Sequence, residues 1–124
     1  MRKFWILIIA ILIFWGCAQL EYSKNNYEKY ENMAREFVKG SPTFSFDGIE
    51  QTLKLKNFTK LDCKDCWEFW YEFECRQAGY GNRSGQLLAQ VITKHVAKIV
   101  IKGGKIVEAV LDNTWDELNQ RFIE

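Results

Sequence analysis

The sequence predicts an α+β fold: an N-terminal helix packed on a four-stranded antiparallel sheet, followed by a short C-terminal helix. Three observations predict it. Tyr27, Tyr30, Ala34, Phe37 and Val38 recur at helical spacing between charged residues. Residues 67–76 (WEFWYEFECR) alternate between two faces, as a half-buried strand requires. Gly103-Gly104 joins two alternating runs as a two-residue hairpin. A chain of 124 residues allows one domain.

The helix carries Glu28, Lys29, Glu31, Arg35 and Glu36 between its apolar positions, and Asn25 with Glu28 has the pattern of a capping box. Lys39-Gly40-Ser41-Pro42 stops it with a base, a glycine and then a proline. Thr43-Phe44-Ser45-Phe46 alternates and ends in the turn pair Asp47-Gly48. Leu53 and Leu55 alternate with Lys54 and Lys56, which predicts a strand over 51–60. Residues 61–66 (LDCKDC) form a turn. In the next strand Trp67, Phe69, Tyr71, Phe73 and Cys75 share one face; Glu68, Trp70, Glu72, Glu74 and Arg76 share the other. Pairs between these glutamates and the lysines of the preceding strand are expected where the register permits.

Residues 77–86 (QAGYGNRSGQ) hold three glycines and form a long loop, after which residues 87–102 alternate. Counting out from Gly103-Gly104 pairs Lys102 with Lys105, Ile101 with Ile106, Val100 with Val107 and Ala97 with Val110. Thr114-x-x-Glu117 has the pattern of a second capping box, with Trp115, Leu118 and Phe122 as the stripe of a short helix.

The N-terminus reads as an export signal. Arg2 and Lys3 precede an unbroken apolar run, Phe4 to Trp15, which Gly16-Cys17 closes. The run is shorter than the roughly 20 residues a membrane-crossing helix needs. Gly16-Cys17 at its end resembles the lipobox of prokaryotic lipoproteins, which implies lipidation of Cys17. Phe14 and Trp15 depart from that pattern, and the other readings are an uncleaved signal anchor and simple secretion. Three segments are therefore expected: a signal peptide or anchor over 1–16, lipid attachment and a tether over 17–26, and a single α+β domain over 27–124. The domain is expected outside the cytoplasmic membrane and anchored to it.

Charge narrows the partners. The chain holds 17 Lys+Arg and 16 Asp+Glu, a net charge of +1. Nucleic acid needs a basic face and is not expected as a partner. The expected partners are the membrane, through the N-terminus, and a protein or small ligand.

With Cys17 set aside, Cys63, Cys66 and Cys75 remain, an odd number. If 67–75 is one strand, Cys66 and Cys75 lie roughly 30 Å apart at strand rise. Bonded cysteines need Cα atoms within about 7 Å. A Cys63–Cys66 disulfide is therefore expected, with Cys75 as a buried thiol. A redox role for Cys63-Lys64-Asp65-Cys66 lacks the helix N-terminus that lowers a thiol pKa. A metal site built from the three cysteines and His95 would need Cys75 beside Cys66. Neither metal nor cofactor is expected.

No pattern assembles a catalytic constellation. The hairpin count sets His95, the sole histidine, across from Asp112, with no nucleophile beside it. Gly79-Tyr80-Gly81-Asn82-Arg83-Ser84-Gly85 precedes no helix and lacks the phosphate-loop setting. It is the expected binding loop, through Tyr80, Asn82 and Arg83. Trp70, on the charged strand face, is a candidate exposed contact. Asn57 and Asn82 stand in glycosylation sequons, Asn82 in the better exposed position.

The order of elements resembles the cystatin-like architecture, and AKIVIKGGKIVEAVLD resembles exported modules of the PepSY type. SPTFSFDGI, CKDCWEFWYEFE and AGYGNRSGQ resemble a family of small uncharacterised exported prokaryotic proteins, across residues 33–115. That resemblance implies no activity. Gln86-Leu87-Leu88-Ala89-Gln90 lacks the valine and final glycine of the protease-inhibiting Q-x-V-x-G hairpin of cystatins. The expected function is a non-enzymatic, membrane-tethered binding or interaction module. A thiol-active accessory protein using Cys63 and Cys66, or a structural subunit of an envelope complex, is the alternative.

Overall fold

The computed structural model describes residues 26–124. The signal segment, Cys17 and all of the tether but Asn26 lie outside the described residues. The fold is α+β: helix α1 (26–40) lies on a six-stranded antiparallel sheet in sequence order. Its strands are β1 (Lys54–Lys60), β2 (Trp67–Cys75), β3 (Thr93–Lys102), β4 (Lys105–Leu111), β5 (Trp115–Asp116) and β6 (Arg121–Phe122). A short helix α2 (Pro42–Asp47) and a 3-10 turn (Glu50–Thr52) connect α1 to β1. Among the described residues, no helix is long and apolar enough to cross a membrane.

The core is where the strand alternation puts it. Phe69, Tyr71, Phe73 and Cys75 of β2 are all fully buried, facing Tyr30, Ala34 and Val38 of α1. Those three helix positions are spaced by four, so they share one face. Tyr71 keeps its polar tip satisfied by donating to Glu31 O at 3.0 Å and Glu31 Oε1 at 3.2 Å. Of the charge pairs expected with the preceding strand, Glu72 with Lys56 forms on the opposite sheet face, and Lys94 of β3 joins it. Glu72 takes Lys94 at 2.9 Å and Lys56 at 3.6 Å, and these cations lower its carboxyl pKa.

Five expectations are corrected. The sheet has six strands, not four. Residues 43–46 are helical, not alternating: Pro42 pre-sets the first turn, and Ser45 N–H donates to Ser41 O at 2.8 Å. Phe44 then turns edge-on to Phe73, with ring centres 5.3 Å apart. The alternation over 87–102 becomes a strand only from Thr93, leaving Leu87, Val91 and Ile92 exposed.

The C-terminal helix is absent; β5 and β6 form a small hairpin instead. Trp115 pairs with Phe122 across it, with ring centres 5.0 Å apart, and Glu117 points into the core rather than capping a helix. Aromatic packing across strands replaces the helical stripe.

The β3–β4 register also shifts by one. Lys102 pairs with Lys105 and Ile101 with Ile106 as counted, but Val100 pairs with Glu108 and Ala97 with Leu111. A bulge absorbs the extra residue. Without it, Glu108 would follow Ile106 onto the core face, where an unpaired carboxylate is costly. With it, Ala109 and Leu111 join the core and Glu108 reaches Lys98 at 3.4 Å.

Candidate functional site

The polar side chains gather at the end of the sheet where β2 finishes. Loop 77–86 folds back there over α2, and one arginine holds it. Arg83 is buried, its side chain wholly so. Its Nη1 donates to Gly79 O at 3.2 Å and Gly81 O at 3.0 Å. Its Nη2 donates to Thr43 O at 3.2 Å and to Asp47 Oδ1. The other Asp47 oxygen accepts from Gln77 N–H at 2.8 Å. A planar guanidinium can bridge two segments in this way because its donors diverge, here toward the loop on one side and α2 on the other. Gly79 and Gly81 have positive φ, and a Cβ on Gly79 would meet Arg83 Cδ at 2.9 Å.

Thr43 links this knot to the C-terminal hairpin. Its N–H and its hydroxyl donate to the two oxygens of Glu117, at 3.0 and 2.8 Å. The same hydroxyl accepts from Gly81 N–H at 2.7 Å. A buried carboxylate is thereby satisfied by neutral donors. Cys75 lies beneath, 3.7 Å from Thr43 O. Burial, then the nearby Asp47 carboxylate, push its thiol up to about 12, which keeps it protonated and inert.

A second cluster adjoins the first. Asp112 Oδ2 lies 2.6 Å from His95 Nδ1 and accepts from the Tyr80 hydroxyl at 2.9 Å. Its Oδ1 accepts from Val96 N–H at 2.7 Å. Burial alone would raise the Asp112 pKa; the bonds from His95, Val96 and Tyr80 outweigh it and lower the carboxyl below its ordinary value. Tyr80 is pushed up to about 12 by burial and by Asp112. Its ring stacks on Trp115 at 5.5 Å and lies 5.1 Å from the His95 ring. The hairpin count sets His95 opposite Asp112, but past the bulge the backbone partner of Asp112 is Val96, whose O accepts from Asp112 N–H at 2.8 Å, and His95 reaches the carboxylate through its side chain. His95 is 1 % exposed.

The expected binding loop therefore divides. Asn82 is exposed, Tyr80 is half-buried, and Arg83, expected on the surface, is interior. Asn82 is itself ordered, its Oδ1 accepting from Ser84 N–H at 3.0 Å and from the Ser84 hydroxyl. Asn82 and Ser84 line a cleft of about 360 Å³ with Gly40, Pro42, Ser45 and Phe46. The Arg83 guanidinium supports Phe46 from within, 4.8 Å from its ring centre.

Trp70 is half-buried, with Lys98 Nζ 5.8 Å from its ring centre. Asn57 is exposed on the edge strand β1. The Cys63 and Cys66 sulfurs lie at bonding distance, with Cα atoms 5.4 Å apart, and Cys75 stands alone as expected. Sequence reasoning missed Asp47, Thr43 and Glu117. The available signal was an arginine set among Gly79, Gly81 and Gly85, where small residues let a backbone wrap a buried side chain.

Comparison with family models, with curated proteins and with solved structures finds no match to this chain in any of the three.

Proposed function

We propose that the protein is a non-enzymatic binding module, exported and held at the outer side of the cell membrane by its N-terminus. One observation carries the reading. The cleft beside Asn82 and Ser84 is backed by the buried Arg83–Asp47 pair, so its walls are set before any ligand arrives. Preorganisation of this kind lowers the ordering cost of binding. The groups with catalytic chemistry are otherwise engaged: Asp112 with His95 and Tyr80, Glu117 with Thr43. The lipobox-like Gly16-Cys17 and the apolar run before it support the tether.

The test is site-specific photo-crosslinking of the full chain in its own cell envelope. A photoreactive residue at position 82 or 84 is expected to yield discrete adducts that wild-type protein competes away and the Asn82→Arg variant does not. Equal adducts from position 57, on the far sheet edge, would overturn the reading.

The bonded Cys63–Cys66 pair favours a second reading, a thiol-active accessory protein. Cys63 is exposed and Cys66 buried, so an incoming thiolate reaches one sulfur of the pair. The motif precedes a strand and gains nothing from a helix N-terminus. Mass spectrometry after mild reductant separates the readings: a bond that survives sinks the thiol-active one.

A further inference from the structure

The opposite end of the sheet carries a surface of different chemistry. The β1–β2 turn and the β3–β4 turn meet there, Gly104 N–H donating to Asp65 O at 3.2 Å. The first turn of α1 arrives at the same place: Tyr27 packs 4.8 Å from the Phe58 ring and 5.6 Å from the Trp67 ring. A Cβ on Gly104 would lie 3.4 Å from the Tyr30 hydroxyl. Segments 26–30, 60–67 and 101–106 therefore form one end, and they hold Lys29, Lys60, Lys64, Lys102 and Lys105, all exposed. The acids among them are Glu28, Asp62 and Asp65.

Two features make this more than scattered lysines. Lys102 and Lys105 stand directly opposite each other across the hairpin, a like-charge pair that costs stability in water. An anionic surface relieves that cost. Lys60, in register with Trp67 and Ile101 at the same end of the sheet, is held by its Nζ donating to Leu61 O and Cys63 O at 2.7 Å each. The Cys63–Cys66 link staples the turn that carries Lys60 and Lys64. Aromatic surface adjoins the charges: Phe58 is 48 % exposed and Trp67 half-buried. Cations beside amphipathic rings are the composition that favours a membrane–water interface.

We propose that this end of the sheet docks on an anionic phospholipid surface. The orientation rests on the tether reading above. The 25 residues before Asn26 join the domain at this end, so a tether holds the lysines toward the membrane. The Asn82 cleft, at the other end of β2, then faces away from the lipid. The disulfide gains a role in this arrangement, holding the basic turn in shape for contact.

The experiment uses the full chain reconstituted in vesicles of neutral phosphatidylcholine, with or without about 30 mol % phosphatidylglycerol. Exposed amines are acetylated briefly and each lysine is read by peptide mass spectrometry. Lys60, Lys64, Lys102 and Lys105 are expected to label about threefold less on the anionic vesicles, and about 0.5 M salt removes the difference. Lys54 and Lys94 serve as references and do not change. Lys102→Glu with Lys105→Glu is expected to restore labelling of Lys60 and Lys64 while leaving flotation with neutral vesicles unchanged. Equal labelling on both vesicle types overturns the proposal, as does protection by a dissolved polyanion but not by vesicles. Flotation reports the tether separately. A chain that fails to float with neutral vesicles yet is protected on anionic ones upholds the docking surface and refutes the anchor.

Discussion

Arg83 and Asp47, 36 residues apart in sequence, form a buried ion pair that ties loop 77–86 to the end of α2. The pair decides which atoms of the loop face solvent. Asn82 and Ser84 project outward because the arginine between them projects inward.

Removing one partner should be costly. Asp47→Asn leaves the guanidinium buried without its counter-charge, and Arg83→Met strands the carboxylate. Each is expected to lose about 3–5 kcal/mol of stability in urea unfolding. The double variant should lose less than the two separate losses together, because it leaves no lone buried charge. Additive losses would show that the two residues act independently.

Glu117 is expected to hold the β5–β6 hairpin on the body of the protein. It accepts from two donors of Thr43, and Glu117→Gln can satisfy only one while setting an amide against the other. The expected cost is about 1–3 kcal/mol. Hydrogen exchange supplies the second readout: Ile123 N–H, bonded to Thr114 O, should lose protection more than core amides of β2.

Acid should weaken the fold in part through Asp112. Its folded pKa is depressed, so its contribution is complete above the ordinary carboxylate range and disappears as pH falls through the folded value. Asp112→Asn is expected to flatten the stability profile below about pH 4. A profile of unchanged slope would place the acid sensitivity elsewhere, with Asp116 and Glu72 the next groups to replace, since both are also depressed.

Alkali should act in the opposite sense through Cys75 and Tyr80. Both are raised, to about 12, so the folded state retains protons that the unfolded chain releases. Stability is therefore present below the ordinary thiol and phenol values and is lost as pH rises toward about 12. Alkylation reads the same burial directly. Iodoacetamide at neutral pH should leave Cys75 unmodified in folded protein and modify it fully in denaturant. Reduction should expose Cys63 and Cys66 without altering that result.

Much of the core was legible because periodicity is a local property. Spacing in α1 and alternation in β2 name their buried faces without knowledge of neighbours. The disulfide was legible for a related reason: strand rise sets a distance that Cys75 cannot close. Counting along one hairpin brought His95 near Asp112 but one position out of register, because the bulge lies between them and the turn. What failed depended on partners distant in sequence. Thr43-Phe44-Ser45-Phe46 fits a strand pattern until Phe44 meets Phe73, and Thr114-x-x-Glu117 fits a cap until Glu117 meets Thr43.

The sequence by itself determined the α+β class, the aromatic face of residues 67–75, the pairing of Cys63 with Cys66 and the signal-like N-terminus as an expectation. Tertiary structure alone decided the inward turn of Arg83, the bulge that keeps Glu108 out of the core, and the hairpin in place of a final helix. The physical reason is common to all three. A charged side chain shows its sign in the sequence, but whether it is buried depends on whether a distant carboxylate, carbonyl or hydroxyl can replace the water it gives up.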